Sequence, residues 1–162
     1  MMTSSQPAAP TVRTYEVRAE TTDTFGRVRC HVRQHRLTVD GPVQNGCPGE
    51  APTPGEMFLA GAAACGAEVL QVLARDGGVP LERVEVTVRG TIDREHQPHA
   101  EVTVFTQVEL SLRLVGPDPE QAAALVAGFQ RRCPVYGSLA VASGRVDVRH
   151  ETVPHEPSRI PT

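Results

Sequence analysis

A chain of 162 residues, 40% of them apolar and 22% charged, can bury roughly two thirds of its unfolded surface, so a single domain is expected over residues 12–152. Its 16 Lys and Arg stand against 19 Asp and Glu with no long block of either sign, which speaks against nucleic acid or a membrane surface as partner. No apolar run approaches the roughly 18 residues of a membrane span, and "MMTSSQPAAP" lacks the basic start and apolar centre of a secretory signal, so a cytoplasmic protein is expected.

Residues 1–11 are polar and proline-rich, as are residues 153–162, and both read as flexible tails. Between about residues 12 and 40, "YEVRAE", "GRVRCHV" and "HRLTVD" alternate apolar and polar residues, the pattern of a small antiparallel meander. "DGPVQNGCPGEAPTP" is then a long loop, because Gly, Pro and Asn crowd it. Thr53 as cap, Pro54 in the first turn and Glu56 three residues after the cap predict a helix from about 54 to 76, closed by Gly77 and Gly78. Its centre, "LAGAAACGAEVL", is rich in Ala and Gly; Gly61 and Gly66 lower helix propensity but let another backbone come close, which suits a central helix.

"RVEVTVRGTID" reads as a strand, "REHQPH" as a turn, and residues 101–114 as a longer strand with Val or Leu at every even position except Thr106. Asp118 and Pro119 open a second helix carrying Ala122, Leu125, Val126 and Phe129 on one stripe. A short helix after Pro134 and a strand "GRVDVRH" complete an α+β chain with an antiparallel sheet.

The chemistry candidates are thiols. Cys30, Cys47, Cys65 and Cys133 are too sparse for a secreted disulfide scaffold. Cys133, before Pro134, falls at the start of a helix, where free N–H groups and the helix dipole favour a thiolate; the competing reading is a small buried filler. Cys65 lies mid-helix beside Phe58, Ala62 and Val69, and on local grounds reads as core. A thiolate there needs a cation from elsewhere in the fold, because Glu68, one turn on, raises a thiol's pKa. Cys30, His31 and His35 lack the spacing of a zinc site, and no metal or cofactor is expected. His96, His99, His150 and His155 read as solvated, and Ser138 and Ser143 as ordinary serines, since no Gly-x-Ser-x-Gly elbow is present.

"APTPGEMFLAGAAACGAEVL" resembles the first cysteine helix of the OsmC/Ohr superfamily, the osmotically inducible and organic hydroperoxide resistance proteins, and "RRCPVYGSLA" resembles its Cys-Pro motif. The resemblance covers about residues 14–150 in element order. It implies an intertwined homodimer, with antiparallel sheets wrapped around two central helices and a site at the subunit interface. It also implies that Cys65 is the peroxidatic thiol attacking an organic hydroperoxide, Cys133 the resolving thiol, and an external dithiol the reductant.

In the hydroperoxidase branch an arginine from an early loop, paired with a glutamate near the start of the cysteine helix, activates the thiolate. Here Glu56 is the glutamate candidate, one place later than in that branch, and Arg27 the nearest arginine, since residues 41–53 contain none. Phe58 and Tyr136 are candidates for lining an apolar substrate pocket. The reading from a different class is a noncatalytic OsmC-like dimer that binds a small apolar molecule at its interface with both thiols reduced. A third, zinc held through Cys30 or Cys47, predicts tightly bound metal.

Overall fold

A computed structural model describes residues 12–142 and 145–154. The tail expected at 1–11, residues 155–162 of the second tail, Ser143 and His155 lie outside the described residues. Contacts along the chain gather into two units that meet in sequence at Pro54 and Gly55.

The first unit is a three-stranded antiparallel sheet of β1 (Arg18–Thr21), β2 (Arg27–Val32) and β3 (His35–Asp40), in that order. It is the meander that the alternating pattern predicts, with a β1 shorter than "YEVRAE". Among its described residues only Val39 and Asp40 are buried. Asp40 has no exposed surface and so needs partners for each carboxylate oxygen. Arg27 supplies a two-pronged pair, Nε to Oδ1 and Nη2 to Oδ2, both 2.8 Å, and the main-chain N–H groups of Glu50 and Ala51 donate to Oδ2 at 2.9 and 3.1 Å. Asp40 thereby ties the far end of the 41–53 loop back to the sheet. Cys47 is tucked against Gly26 and Gly41, where a Cβ would collide with its sulfur.

The second unit holds α1 (Pro54–Gly77), β4 (Arg83–Thr91), β5 (Gln107–Val115), α2 (Pro119–Arg132), α3 (Pro134–Ala142) and β6 (Val146–Val153). Strand β5 is central, and its alternation is clean: Val108, Leu110, Leu112 and Leu114 are buried on one face. They pack with Ala62, Leu70 and Ala74 of α1, Ala122, Leu125, Val126 and Phe129 of α2, Cys133, and Leu139 of α3. The opposite face carries cross-strand charges such as Arg113 with Glu151 at 3.0 Å. Helix α2 starts on a full capping box, the Asp118 side chain accepting from the Gln121 N–H and the Gln121 side chain from the Asp118 N–H.

Three expectations change. The antiparallel rule holds for β1–β2, β2–β3 and β4–β5, but β6 runs parallel to β5. Two helices separate those strands in sequence, long enough to carry the chain back for a parallel pairing. Residues 101–106 do not extend β5; a bridge between His99 and Val102 closes a side excursion instead. There the Gln97 side chain bonds the main chain of Val104 in place of a strand neighbour, and Asp93 caps the N–H groups of Glu95 and His96. Finally, α1 is long and apolar enough to cross a membrane by length and composition, with mean hydropathy 1.7 over its best window. Many small residues raise that mean without forming the unbroken apolar run sought in the sequence.

Two stability outcomes are expected. Phe129→Ala, which empties a fully buried ring site, should cost about 3–5 kcal/mol in denaturant unfolding. Arg27 and the loop amides hold the Asp40 carboxyl down to about 2, so its stabilisation is present above the unfolded pKa and lost as pH falls through that value. Asp40→Asn should therefore lower the urea midpoint at pH 7, with the gap to the parent closing towards pH 2.

Candidate active site

The site is built where α2 stops and α3 starts. Cys133 is the C-cap of α2 in extended conformation (φ -78°, ψ 113°), its N–H donating to the Phe129 carbonyl. Pro134 cannot continue α2 but suits the first turn of α3, so the chain turns at the cysteine. The Cys133 carbonyl then accepts from the Gly137 N–H at 3.0 Å, and its sulfur from the Tyr136 N–H at 3.4 Å. This is the helix-start thiol that the Cys-Pro pair predicts.

Cys65 comes to the same place from the middle of α1. The Cys133 Sγ lies 2.9 Å from the Cys65 Sγ, and the two thiols hydrogen-bond. Cys133 is buried and Cys65 half-buried, both free. The Cys133 sulfur thus rests on a first-turn amide of α3. Burial, followed by the Cys133 thiol, pushes Cys65 up to about 11; the Val135 amide acts the other way, and Glu68 adds a smaller upward push. Gly66, next to Cys65, is buried and faces the Phe129 ring and Val86.

The remaining candidates are placed as follows. Phe58 is seven residues before Cys65, two turns of helix, and so on the same face. It is half exposed and stacks on Phe105 at 5.8 Å with rings 4° apart. Phe105 was not singled out from the sequence; its signal was an apolar residue at an odd position of the 101–114 pattern. Gly90 makes room for it, since a Cβ there would strike the Phe105 ring. Tyr136 packs on Phe129 at 5.1 Å, and its hydroxyl accepts from Gln130. Glu56 is exposed in the first turn of α1, nine residues and half a turn out of phase with Cys65. Arg27, in the first unit, is committed to Asp40 and, through Nη2 at 2.7 Å, to Glu50.

Cys30 lies on β2 opposite Ala19 and Leu37, and Ser138 donates to the Pro134 carbonyl. Among the described residues no three His, Cys, Asp or Glu side chains gather as a metal-binding group.

No curated protein matches the chain. Solved structures do, over most of their lengths. The OsmC-like protein from Mycoplasma pneumoniae superposes with a TM-score of 0.74 at 16% identity, covering 89% of this chain and 99% of that one. An organic hydroperoxide resistance protein OsmC from Legionella pneumophila gives 0.67 at 24% identity, covering 88% and 98%. An organic hydroperoxide resistance protein from Elizabethkingia anophelis, with thiocyanate bound, gives 0.70 at 18% identity, covering 88% and 100%. The OsmC-like protein family matches residues 47–149, a span that takes in both cysteine motifs and the hairpin between them. The chain belongs to the OsmC-like family.

Proposed function

We propose that this protein is a thiol peroxidase that reduces organic hydroperoxides, acting as a homodimer in the cytoplasm with an external dithiol as reductant. The observation that carries the reading is the Cys65–Cys133 contact at 2.9 Å, which puts the two sulfurs within reach of a disulfide. The Cys65 thiolate attacks the outer oxygen of ROOH and the O–O bond breaks. Cys65 becomes a sulfenic acid, and the alkoxide takes a proton and leaves as ROH. The Cys133 sulfur then attacks the Cys65 sulfur and water departs. Two thiols are oxidised to one disulfide as the peroxide takes up two electrons, and a dithiol returns them.

Support for the organic, rather than the inorganic, peroxide comes from the apolar ledge of Phe58 and Phe105 on the Cys65 face of α1. Support for the dimer comes from α1 itself. Gly61, with nothing near its missing Cβ, together with Ala60, Ala64 and Phe58, leaves small and apolar surface open on a helix whose composition belongs in a core. A second copy covers such a surface. Glu56 and Arg27 keep their places as candidates for tuning the thiolate, though the Arg27 guanidinium already serves two carboxylates.

One observation favours the noncatalytic reading, a dimer that binds a small apolar ligand: with its pKa raised to about 11, Cys65 alone holds little thiolate at neutral pH. Adding one equivalent of cumene hydroperoxide to reduced protein decides between them. The peroxidase should lose two thiols and yield a Cys65–Cys133 disulfide by peptide mass spectrometry. Cys65→Ser should lose at least about 10³-fold in peroxide turnover, since the nucleophile is gone. Persistence of both thiols, or a Cys65→Ser variant as active as the parent, leaves the ligand-binding reading.

A further inference from the structure

Phe105 sits on a short segment whose two neighbours are both tied down. On one side the Gln97 side chain stands in for a strand partner of Val104: its Oε1 accepts from the Val104 N–H at 2.8 Å, and its amide nitrogen donates to the Val104 and Asp93 carbonyls. On the other, the Thr106 N–H and hydroxyl both donate to the Thr91 carbonyl, at 2.8 and 3.0 Å, and the hydroxyl accepts from the Asp93 N–H at 3.1 Å. Gln97 is turned inward to do this, half-buried between exposed His96 and Pro98. A glutamine whose oxygen and amide nitrogen are all engaged by main chain fixes that segment much as a ladder neighbour would.

The ring held in this way has a definite seat. A Cβ at Gly90 would stand 2.7 Å from it and one at Gly55 3.7 Å, while Phe58 stacks on its face at 5.8 Å. Phe58 shares a helix face with Cys65 seven residues on, so the ring pair lies about 10 Å from the thiol along α1. Between the two, among the described residues, nothing lies within 4 Å of the position a Cβ would take at Gly61. An apolar group attached to a peroxide at Cys65 therefore finds room along the helix and an aromatic surface beyond it, because Phe58 keeps half of its surface exposed.

We propose that Gln97 is a positioning residue for specificity: by tying down Val104 it fixes Phe105 against Phe58, and the ring pair selects hydroperoxides whose apolar group reaches it from Cys65. Gln97 itself touches no reacting atom. Without its bonds the main-chain groups of Val104 lose their partner, the segment before Thr106 is free to move, and Phe105 no longer keeps one place on Phe58. The interaction is made by the part of the substrate that does not react, so it changes how tightly a peroxide is held and not how its O–O bond breaks. The choice among peroxides rests on the peroxidase reading, whereas the apolar seat and the part Gln97 plays in it do not.

The test compares the full-length parent, Phe105→Ala and Gln97→Ala with cumene hydroperoxide and tert-butyl hydroperoxide, using dithiothreitol as reductant. Each protein is also titrated by calorimetry with cumyl alcohol, which has the same aryl group and no O–O bond. Both variants should raise KM for cumene hydroperoxide about tenfold with kcat unchanged. KM for tert-butyl hydroperoxide, whose methyl groups fall short of the rings, should stay as it was, which also shows that the variants fold. Gln97→Glu, which keeps the acceptor for the Val104 N–H and loses the donors, should fall between. Cumyl alcohol should bind both alanine variants more weakly than the parent. Equal losses with the two peroxides, a Gln97→Ala variant that behaves as the parent, or cumyl alcohol binding that the substitutions leave unchanged overturns the proposal. Weakened cumyl alcohol binding in both variants of a protein that leaves both peroxides intact upholds the role of Gln97 and refutes the peroxidase reading.

Discussion

The meeting of two sulfurs at the start of α3 depends on how α2 ends. Cys133 uses every group it has: its N–H closes α2 on Phe129, its carbonyl opens α3 on Gly137, and its sulfur takes the Tyr136 amide. Pro134 enforces the break, because it lacks the N–H that a continuing α2 would need. Phe129, fully buried, fixes where the last turn of α2 lies. A register error of one residue along α1 would swing Cys65 by about 100° and part the sulfurs, so the packing of α1 against β5 and α2 is as much a part of the site as the thiols. Ala62, Gly66, Leu70 and Ala74 recur at four-residue intervals and set that packing.

The same packing creates a chemical conflict. A dry site suits an apolar peroxide but raises a thiol's pKa, and the usual remedy, a nearby guanidinium, has to be desolvated as well. Main-chain amides at a helix start are already unpaired and need no ion taken out of water, and one of them, from Tyr136, meets the Cys133 sulfur at the helix that the Cys-Pro sequence builds. In the first unit the guanidinium of Arg27 does different work. There it satisfies a carboxylate with no exposed surface, and with it the return of a long loop.

How much of this could be read in advance follows from the range of each signal. Local signals were legible: the Asp118–Pro119 start of α2, the Pro54 start of α1 and the 108–114 alternation all rest on neighbours within a few residues. The side excursion at 92–106 was hidden because Val102 and Val104 continue the strand rhythm, while a single glutamine, Gln97, takes over the main-chain bonds of Val104. The parallel β6 was hidden because strand direction is set by the route of α2 and α3, not by "GRVDVRH" itself. In the site, the Cys65–Cys133 pairing was available only through resemblance, since helix geometry alone left Cys133 between thiolate and filler. The Tyr136 amide at the Cys133 sulfur had no sequence signal, for a main-chain donor carries no residue identity. Phe105 had only the faint one of an apolar residue out of rhythm.

Keeping the resolving sulfur in contact has a further consequence on the peroxidase reading. A sulfenic acid has two fates, condensation with a thiol or oxidation by a second peroxide to the irreversible sulfinic acid. The first needs no diffusion here, because Cys133 is already 2.9 Å away and almost wholly buried. The second needs another peroxide to reach Cys65 while the product alcohol still occupies the apolar ledge. Burial, which opposes formation of the thiolate, thus favours the step that follows its use. A site that let solvent in to ease ionisation would lose that advantage.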